Sequence, residues 1–439
     1  MTLTLRALLG ASALLALTGM AQAETTEITV ATVNNGDMVR MQGLMDDFYA
    51  KNPDIHVNWV TLEETVLRQK VTTDIATKGG QFDVMTIGTL EVPIWGKQGW
   101  LESLDDLPAD FKADDLLPTI RGALTVDGHL YAAPFYGESA MVHYRKDLMA
   151  KAGLTMPDEP TWADIKKAAA AMTDKDHEVY GICLRGKPSW GENMAFLGAM
   201  ANSYGGRWFD MDWKPEFTGP EWTAAVTDYV DMMSKYGPPG VANNGYTENQ
   251  ALFQQGHCGM WIDATVAASS LIDPKQSTVP AENVGFAKFP DNANGNHGQW
   301  LWAWTLAIPA GSAKVEAAKK FVDWATNPAY LDLVASKEGW ANVPPGTRTS
   351  LYANPEYLKA PFAAMTLAAI NAVDTSKPSL KDVPYVGAQW VSIPEFQGIG
   401  TGVGQIFSAV VAGTTSVPDG LKQAQDFATA EMTKAGYIK

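Results

Sequence analysis

The chain has 439 residues, a formal net charge of −16 and 46% hydrophobic residues, which is the composition of a globular protein. A chain this acidic is repelled by nucleic acids and by anionic membrane surfaces, so neither is an expected partner. Its length corresponds to two or three domain-sized units, and its two cysteines exclude a disulfide-rich scaffold.

The first 23 residues have the three regions of a secretory signal peptide. Arg6 supplies a positive charge, residues 7–20 are apolar and uncharged, and the small-x-small triplet Ala21-Gln22-Ala23 follows. The apolar run has about 14 residues, whereas ~20 are needed to cross a bilayer. We therefore expect residues 1–23 to be a signal peptide cut after Ala23, with no later segment inserted in the membrane.

The next 60 residues alternate between predicted strands and helices. Residues 27–33 have the alternation of a strand, and an amphipathic stripe over residues 41–48 then predicts a helix. A strand at 56–60, a helix at 67–75 and a short buried strand at 83–87 follow. This order predicts a parallel sheet with crossover helices.

A second unit of the same kind is predicted after a break. It begins with a strand at 140–144, and Thr161 with Asp164 forms a capping pair before a helix at 165–172. Further strands are expected around Cys183, around Cys258 and at 304–308, and further helices at 192–204, 248–255, 313–326 and beyond Glu395.

Because no linker separates the two units, the sequence predicts an α/β fold with two lobes that share three or more crossovers. We place the crossovers near Tyr136, Trp304 and Ala341. The first lobe then consists of residues 24–136 plus 304–341, and the second of residues 137–303 plus 342–439. A ligand cleft is expected between the lobes, at the carboxyl ends of the strands.

Signals for metal, cofactor or catalytic chemistry are missing from the sequence. None of the six histidines pairs with another at a metal-ligand spacing, and neither cysteine has a close Cys or His partner. No cofactor is therefore expected. Cys183 and Cys258 both lie in apolar stretches, either as buried free thiols or, if their strands are neighbours, as a disulfide.

Acidic residues near strand ends are the first candidates for a binding site. Glu91, Glu138 and Asp263 each lie at or just beyond the end of a predicted strand. Taken singly, such acids are often helix caps, because a carboxylate is favoured at a helix N-terminus. As a group spread over both lobes, they fit a site that accepts hydrogen bonds from ligand hydroxyls.

Tryptophans are the second candidates, since the chain has 15 of them. Trp300, Trp302 and Trp304 alternate, so along a strand all three point to one face. That face is either part of the buried core or a wall of the cleft. Indole rings beside carboxylates are suited to the C–H faces and hydroxyls of a polyhydroxylated molecule.

The chain from Glu24 to Lys439 resembles the periplasmic extracellular solute-binding proteins that deliver sugars to ABC importers. Within that family it is most similar to the sorbitol/mannitol-binding proteins, especially from Asn34 to Trp100 and from Trp300 to Trp304. The resemblance rests on a strand that ends in Asn34-Asn35 and on these further motifs in order: Gln81-Phe82-Asp83-Val84, Tyr144-Arg145-Lys146-Asp147-Leu148, Pro160-Thr161-Trp162, Phe253-Gln254-Gln255-Gly256-His257-Cys258-Gly259-Met260, Trp304-Thr305-Leu306-Ala307-Ile308-Pro309 and Val343-Pro344-Pro345-Gly346-Thr347-Arg348.

The resemblance and the residue patterns together give a predicted ligand-binding set. Its members are Asn34, Asn35, Glu91, Tyr136, Glu138, Trp190, Asp263, Trp302, Trp304 and Arg348. Arg348 either donates to two ligand hydroxyls or pairs with one of the acids. Val266 lies where maltose-binding relatives have an aromatic residue, which favours a small ligand over an oligosaccharide.

The resemblance implies a monomeric periplasmic protein that captures a small polyol of the sorbitol or mannitol type and delivers it to the permease subunits of an ABC transporter. A mono- or oligosaccharide is the alternative ligand within this class. Outside it, a secreted glycoside hydrolase would need two carboxyl groups that flank a glycosidic bond, and the acids named above could supply them. No other catalytic feature accompanies those acids, so we do not expect an enzyme.

Overall fold

A computed structural model describes residues 25–439 of the protein, so the predicted signal peptide and its cleavage after Ala23 lie outside the described residues. The described chain forms two lobes, each built around its own sheet. The strands are β1 (Thr26–Val33), β2 (Ile55–Leu62), β3 (Val84–Gly88), β4 (Thr125–Val126), β5 (His129–Leu130), β6 (Ala133–Glu138), β7 (Ala140–Arg145), β8 (Met260–Ala264), β9 (Val284–Lys288) and β10 (Trp302–Ala307).

Seventeen α-helices surround the sheets within residues 25–439. They are α1 (Gly36–Gly43), α2 (Met45–Lys51), α3 (Glu64–Thr77), α4 (Glu91–Lys97), α5 (Pro118–Ala123), α6 (Lys146–Lys151), α7 (Trp162–Met172), α8 (Asn193–Ser203), α9 (Pro220–Tyr236), α10 (Tyr246–Gln254), α11 (Ala268–Ile272), α12 (Val315–Thr326), α13 (Pro328–Glu338), α14 (Thr349–Tyr352), α15 (Ala363–Asn371), α16 (Phe396–Val411) and α17 (Val417–Lys434).

The first sheet has the strand order β2-β1-β3-β10-β6. β1 runs parallel to β2 and β3, as the pattern of residues 27–87 predicts. β10 lies between β3 and β6 and runs antiparallel to both. It follows these two strands in the sequence only after the whole second sheet. A side chain on Gly88 of β3 would collide with the indole of Trp302, so this glycine lets the ring lie flat against the sheet.

The second sheet has the order β8-β7-β9, and β7 is antiparallel to both neighbours. The prediction of a second parallel unit is therefore wrong. The helices between β7 and β8 pack on one another, α7 and α8 against α9, instead of each crossing over between adjacent parallel strands. Cys183 does not belong to a strand but forms an isolated bridge with Trp261.

Local sequence signals fix several helix ends. Thr161 and Asp164 form the predicted capping box at the start of α7. The stripe predicted as one helix over residues 41–48 is interrupted at Leu44, where α1 ends and α2 begins. The chain beyond Glu395 is mostly helical, as predicted, and α16 and α17 pack on α8 and α9.

The chain passes between the lobes at short connections. Ser139 alone separates β6 of the first sheet from β7 of the second, and the chain returns between Lys288 and Trp302. The backbone N–H of Leu117 donates to the carbonyl of Thr347 at 2.9 Å, so the chain still contacts the first lobe at this point. The limits of the lobes stay a prediction, because a lobe is defined by what moves together.

Cys183 and Cys258 are bonded to each other, which settles the two alternatives in favour of a disulfide. Their Cα atoms are 6.1 Å apart, within the range that a disulfide spans without distortion. The bond joins residues 75 positions apart in the sequence and lies in the core of the second lobe.

Within residues 25–439, no helix has the length and apolar character of a membrane span.

Candidate functional site

A cleft of about 220 Å³ opens between the lobes at the ends of β1, β6 and β10. Its volume is below the ~300–1,000 Å³ of pockets for drug-sized ligands, so it suits a small molecule. The residues that line it are Val33, Asn34, Asn35, Glu63, Glu64, Arg68, Tyr136, Glu138, Arg185, Lys187, Trp190, Gly191, Glu192, Ala195, Tyr246, Thr247, Glu248, Ala264, Trp300, Trp302, Trp304 and Gln389.

Seven of the ten predicted site residues line this cleft, namely Asn34, Asn35, Tyr136, Glu138, Trp190, Trp302 and Trp304. Trp300 lines it as well, so the three alternating tryptophans do form one wall. No cluster of three metal-ligating side chains was found within the part of the chain that the structure describes.

One end of the cleft is built around Arg68 of α3, whose side chain is 6% exposed. Its Nε and Nη2 donate to Glu64 Oε1 at 3.1 and 2.9 Å, and its Nη1 donates to Glu91 Oε1 at 3.0 Å. Glu91 accepts a further hydrogen bond from the backbone of Gly88. Two carboxylates thus hold the guanidinium in one orientation.

Three indole rings enclose the same guanidinium. The Cζ atom of Arg68 lies 4.2, 4.4 and 4.5 Å from the ring centroids of Trp190, Trp302 and Trp304. Trp302 contacts both other rings edge to face. Trp302 and Trp304 lie on β10 of the first sheet, whereas Trp190 lies between β7 and β8 of the second sheet, so the enclosure is complete only when the two sheets are brought together.

The other end of the cleft is built around Arg185. Its Nε and Nη2 donate to the two oxygens of Asp263 at 2.8 and 2.6 Å, and its Nη1 donates to the carbonyl of Gly191 at 2.8 Å. The rings of Tyr246 and Trp300 lie 5.2 and 5.5 Å from its Cζ. Each end therefore presents an arginine held by carboxylates and packed against aromatic rings.

Glu138, at the end of β6, differs from Glu192, the other buried acid of the cleft lining, because no arginine, lysine or histidine among residues 25–439 lies within ion-pair distance of it, whereas Glu192 pairs with Arg185. Glu138 is 5% exposed. Burial raises the pKa of its carboxyl to about 8; Arg185 opposes the shift, while Asp263 and Glu64 add to it. Burial also raises the pKa of Glu192, against the attraction of Arg185.

Asn35 and Tyr136 support the wall of the cleft. The Asn35 Oδ1 accepts from the backbone N–H of Met38 and caps α1, and its Nδ2 donates to the Tyr136 hydroxyl at 2.9 Å. The amide of Asn35 is therefore already engaged, whereas the Tyr136 hydroxyl keeps its own proton to donate.

Three predicted ligand residues lie outside the cleft lining. Glu91 and Asp263 are 2% and 1% exposed and lie behind Arg68 and Arg185, which cover them. Arg348 is fully buried and donates to the carbonyls of Lys112 and Thr326. The structure therefore places Arg348 away from the cleft, and its nearest acid, Asp115 at 3.8 Å, is not one of the three predicted site acids.

Sequence reasoning missed the two arginines and the partners they use. Glu64 and Arg68 are spaced i, i+4 at the start of a helix that follows a strand, and that pattern was available in the sequence. Arg185 gave no comparable signal, since its carboxylate partner Asp263 lies 78 positions away.

The lobes also touch outside the lining. Gln397 of α16 donates from Nε2 to Glu91 Oε1 at 3.1 Å and accepts from the Thr72 hydroxyl at 3.3 Å. At the rim, Lys187 pairs with Glu63 at 2.7 Å. The two lobes are therefore closed on each other in this structure.

Two lobes closed over a small cleft with aromatic walls and hydrogen-bonding arginines and acids define a solute-binding protein of the two-lobed periplasmic type. The family model for bacterial extracellular solute-binding proteins matches residues 34–331. The mannitol-binding protein of Pseudomonas aeruginosa is 53% identical over 98% of each chain. This chain therefore belongs to the bacterial extracellular solute-binding protein family.

Solved structures agree with this assignment. The crystal structure of an ABC transporter solute-binding protein from Agrobacterium vitis with bound D-mannitol is 66% identical, with a TM-score of 0.93 over 94% of this chain and 100% of that one. A ribitol complex of a solute-binding protein from Agrobacterium radiobacter has a TM-score of 0.81 over 93% of this chain and 99% of that one. At 23% identity, the second structure supports the fold alone.

Proposed function

We propose that this protein captures a hexitol of the mannitol or sorbitol type and delivers it to the permease of an ABC importer. The observation that carries the proposal is D-mannitol in a protein that is 66% identical and has the same fold. The mannitol-binding protein of Pseudomonas aeruginosa, 53% identical, gives independent support.

The chemistry of the cleft supports a ligand with many hydroxyls. A hydroxyl both donates and accepts, and leaving a buried polar group unpaired costs about 1–3 kcal/mol. The indole N–H groups of Trp190 and Trp302 have no acceptor within the described residues, so they are available as donors. Glu138 supplies an acceptor close to them, because it pairs in register with Trp302.

The arginines extend the set of donors. Arg68 uses three of its five N–H groups on Glu64 and Glu91, which leaves one on Nη1 and one on Nη2. The cleft, at about 220 Å³, is small for an oligosaccharide, the ligand class that we weighed as an alternative.

The proposal also covers where the protein works and what happens to its ligand. The protein is exported by a signal peptide cut after Ala23, works as a monomer in the periplasm, and releases its ligand chemically unchanged. The bacterial extracellular family supports export, and the lack of other catalytic groups beside the acids supports simple binding.

Calorimetric titration against hexitols, pentitols and monosaccharides tests the proposal. We expect D-mannitol or D-sorbitol to bind most tightly, and at 100 times its Kd the ligand should stabilise the protein by about 2.7 kcal/mol. Small-angle scattering should show compaction on saturation. Absence of hexitol binding, or turnover of aryl glycosides, would reject this function.

A further inference from the structure

Five aromatic rings of the cleft are already covered by arginine side chains. Arg68 lies against Trp190, Trp302 and Trp304, and Arg185 faces Tyr246 and Trp300, in each case with its Cζ within 5.5 Å of the ring centroid. Stacking of a sugar ring needs an exposed aromatic face. In this cleft those faces are occupied by the protein's own cations.

Arg68 is fixed in that position from two sides. Glu64 and Glu91 hold its nitrogens in the first lobe. From the second lobe, Gly191 approaches so closely that a Cβ at this position would press on both Arg68 and the Glu64 carboxylate. The Arg68 side chain is only 6% exposed, so it cannot leave the closed cleft without breaking its contacts with the two carboxylates.

We infer that Arg68 is the residue that selects open-chain polyols over ring-shaped sugars. Its guanidinium fills the corner formed by Trp190, Trp302 and Trp304 and so leaves no room there for a pyranose ring to stack on these indoles. An extended polyol does not need that corner and can use the remaining N–H groups of Arg68 as donors. The inference rests on the proposed function and names the residue behind its ligand class.

The experiment compares D-mannitol with methyl α-D-mannopyranoside, a sugar whose ring cannot open. For the wild type, we expect calorimetry to show that the Kd for D-mannitol is at least 100-fold lower than the Kd for the glycoside. In Arg68→Ala the corner is empty, so we expect this ratio to fall at least tenfold, chiefly because the glycoside binds better. Retention of the wild-type ratio by a folded Arg68→Ala protein would overturn the inference.

Two further variants keep the test decisive. Arg68→Ala/Glu91→Gln removes the carboxylate that the single change leaves buried without its arginine, and it should show the same loss of ratio. Lys187→Ala is the matched control, because Lys187 lines the cleft but pairs with Glu63, and the cation that lies over the three indoles of the corner is Arg68. This variant should change the Kd values of D-mannitol and of the glycoside by the same factor.

Failure of the two proposals gives different results. A wild type that binds no hexitol rejects the proposed function itself. A wild type that binds D-mannitol and the glycoside equally well rejects only the role of Arg68.

Discussion

Arg185 and Asp263 form a two-point ion pair beneath the cleft, with N–O distances of 2.8 and 2.6 Å. Asp263 also accepts from the Trp261 indole N–H and from the backbone of Ala264. Its carboxylate is therefore saturated by the protein. Glu138, which has no such partner, is left as the buried acid available to a ligand.

We expect Glu138→Ala to weaken D-mannitol binding by about 2–3 kcal/mol, because one or two ligand hydroxyls lose their buried hydrogen-bond partner. Calorimetric titration measures the change. Glu282→Ala is the matched control, since Glu282 is exposed and distant from the cleft lining. Wild-type affinity in Glu138→Ala, with a lowered Tm, would assign Glu138 a purely structural role.

The ligand-free protein should lose stability as the pH rises. The pKa of Glu138 is raised from 4.5 to about 8, so between these values the folded state holds a proton that the unfolded state releases. Stability from this group is complete below pH 4.5 and falls by about 1.4 kcal/mol per pH unit up to pH 8. Denaturant unfolding of Glu138→Gln should show a flatter pH profile; parallel profiles would contradict the assignment.

Arg348→Met should destabilise the protein without changing its affinity for D-mannitol. The change leaves the carbonyls of Lys112 and Thr326 without their donor, at about 1–3 kcal/mol each. Arg121→Met, at a side chain that is 44% exposed, is the control and should have little effect on stability. Thermal unfolding and titration measure the two effects, and a large loss of affinity in Arg348→Met would return this residue to the site.

Gln397→Ala should weaken D-mannitol binding although Gln397 does not line the cleft. Its amide joins Thr72 and Glu91 of the first lobe to α16, so its loss favours the open form by about 1–2 kcal/mol. Stopped-flow measurements should show faster ligand release. Gln405→Ala, an exposed position on the same helix, should behave as wild type. Equal release rates in both variants would mean that Gln397 does not hold the lobes together.

Removal of the disulfide by Cys183→Ala/Cys258→Ala should lower the free energy of unfolding by about 4 kcal/mol. This is the value expected for a disulfide that joins residues 75 positions apart. Reductant should lower the Tm of the wild type and leave that of the variant unchanged. Identical Tm values for the oxidised wild type and the variant would show that the bond adds no stability.

Features with local signals could be predicted from the sequence. The capping box of α7 and the row of tryptophans at β10 follow from spacing within a few residues, and the parallel unit β1-β2-β3 follows from the order of elements along residues 27–87. The antiparallel direction of β8 and β9 could not, because strand direction depends on how distant helices pack.

The pairing of buried charges also lay beyond the sequence. Glu91 and Asp263 are predicted as ligand-binding residues, but the structure pairs them with Arg68 and Arg185, which are 23 and 78 positions away. An acid at a strand end looks the same whether it faces a ligand or an arginine. Only the fold decides that, of the three predicted site acids, Glu91 and Asp263 pair with arginines and Glu138 does not.

The central position of β10 makes the completion of the first lobe a late event in folding. β3 and β6 cannot pair with each other, since β10 lies between them and is made only after residue 302 of the chain. Contacts between such distant segments form slowly. A growing chain therefore carries an incomplete first sheet through most of its synthesis, and its two lobes reach their final form together.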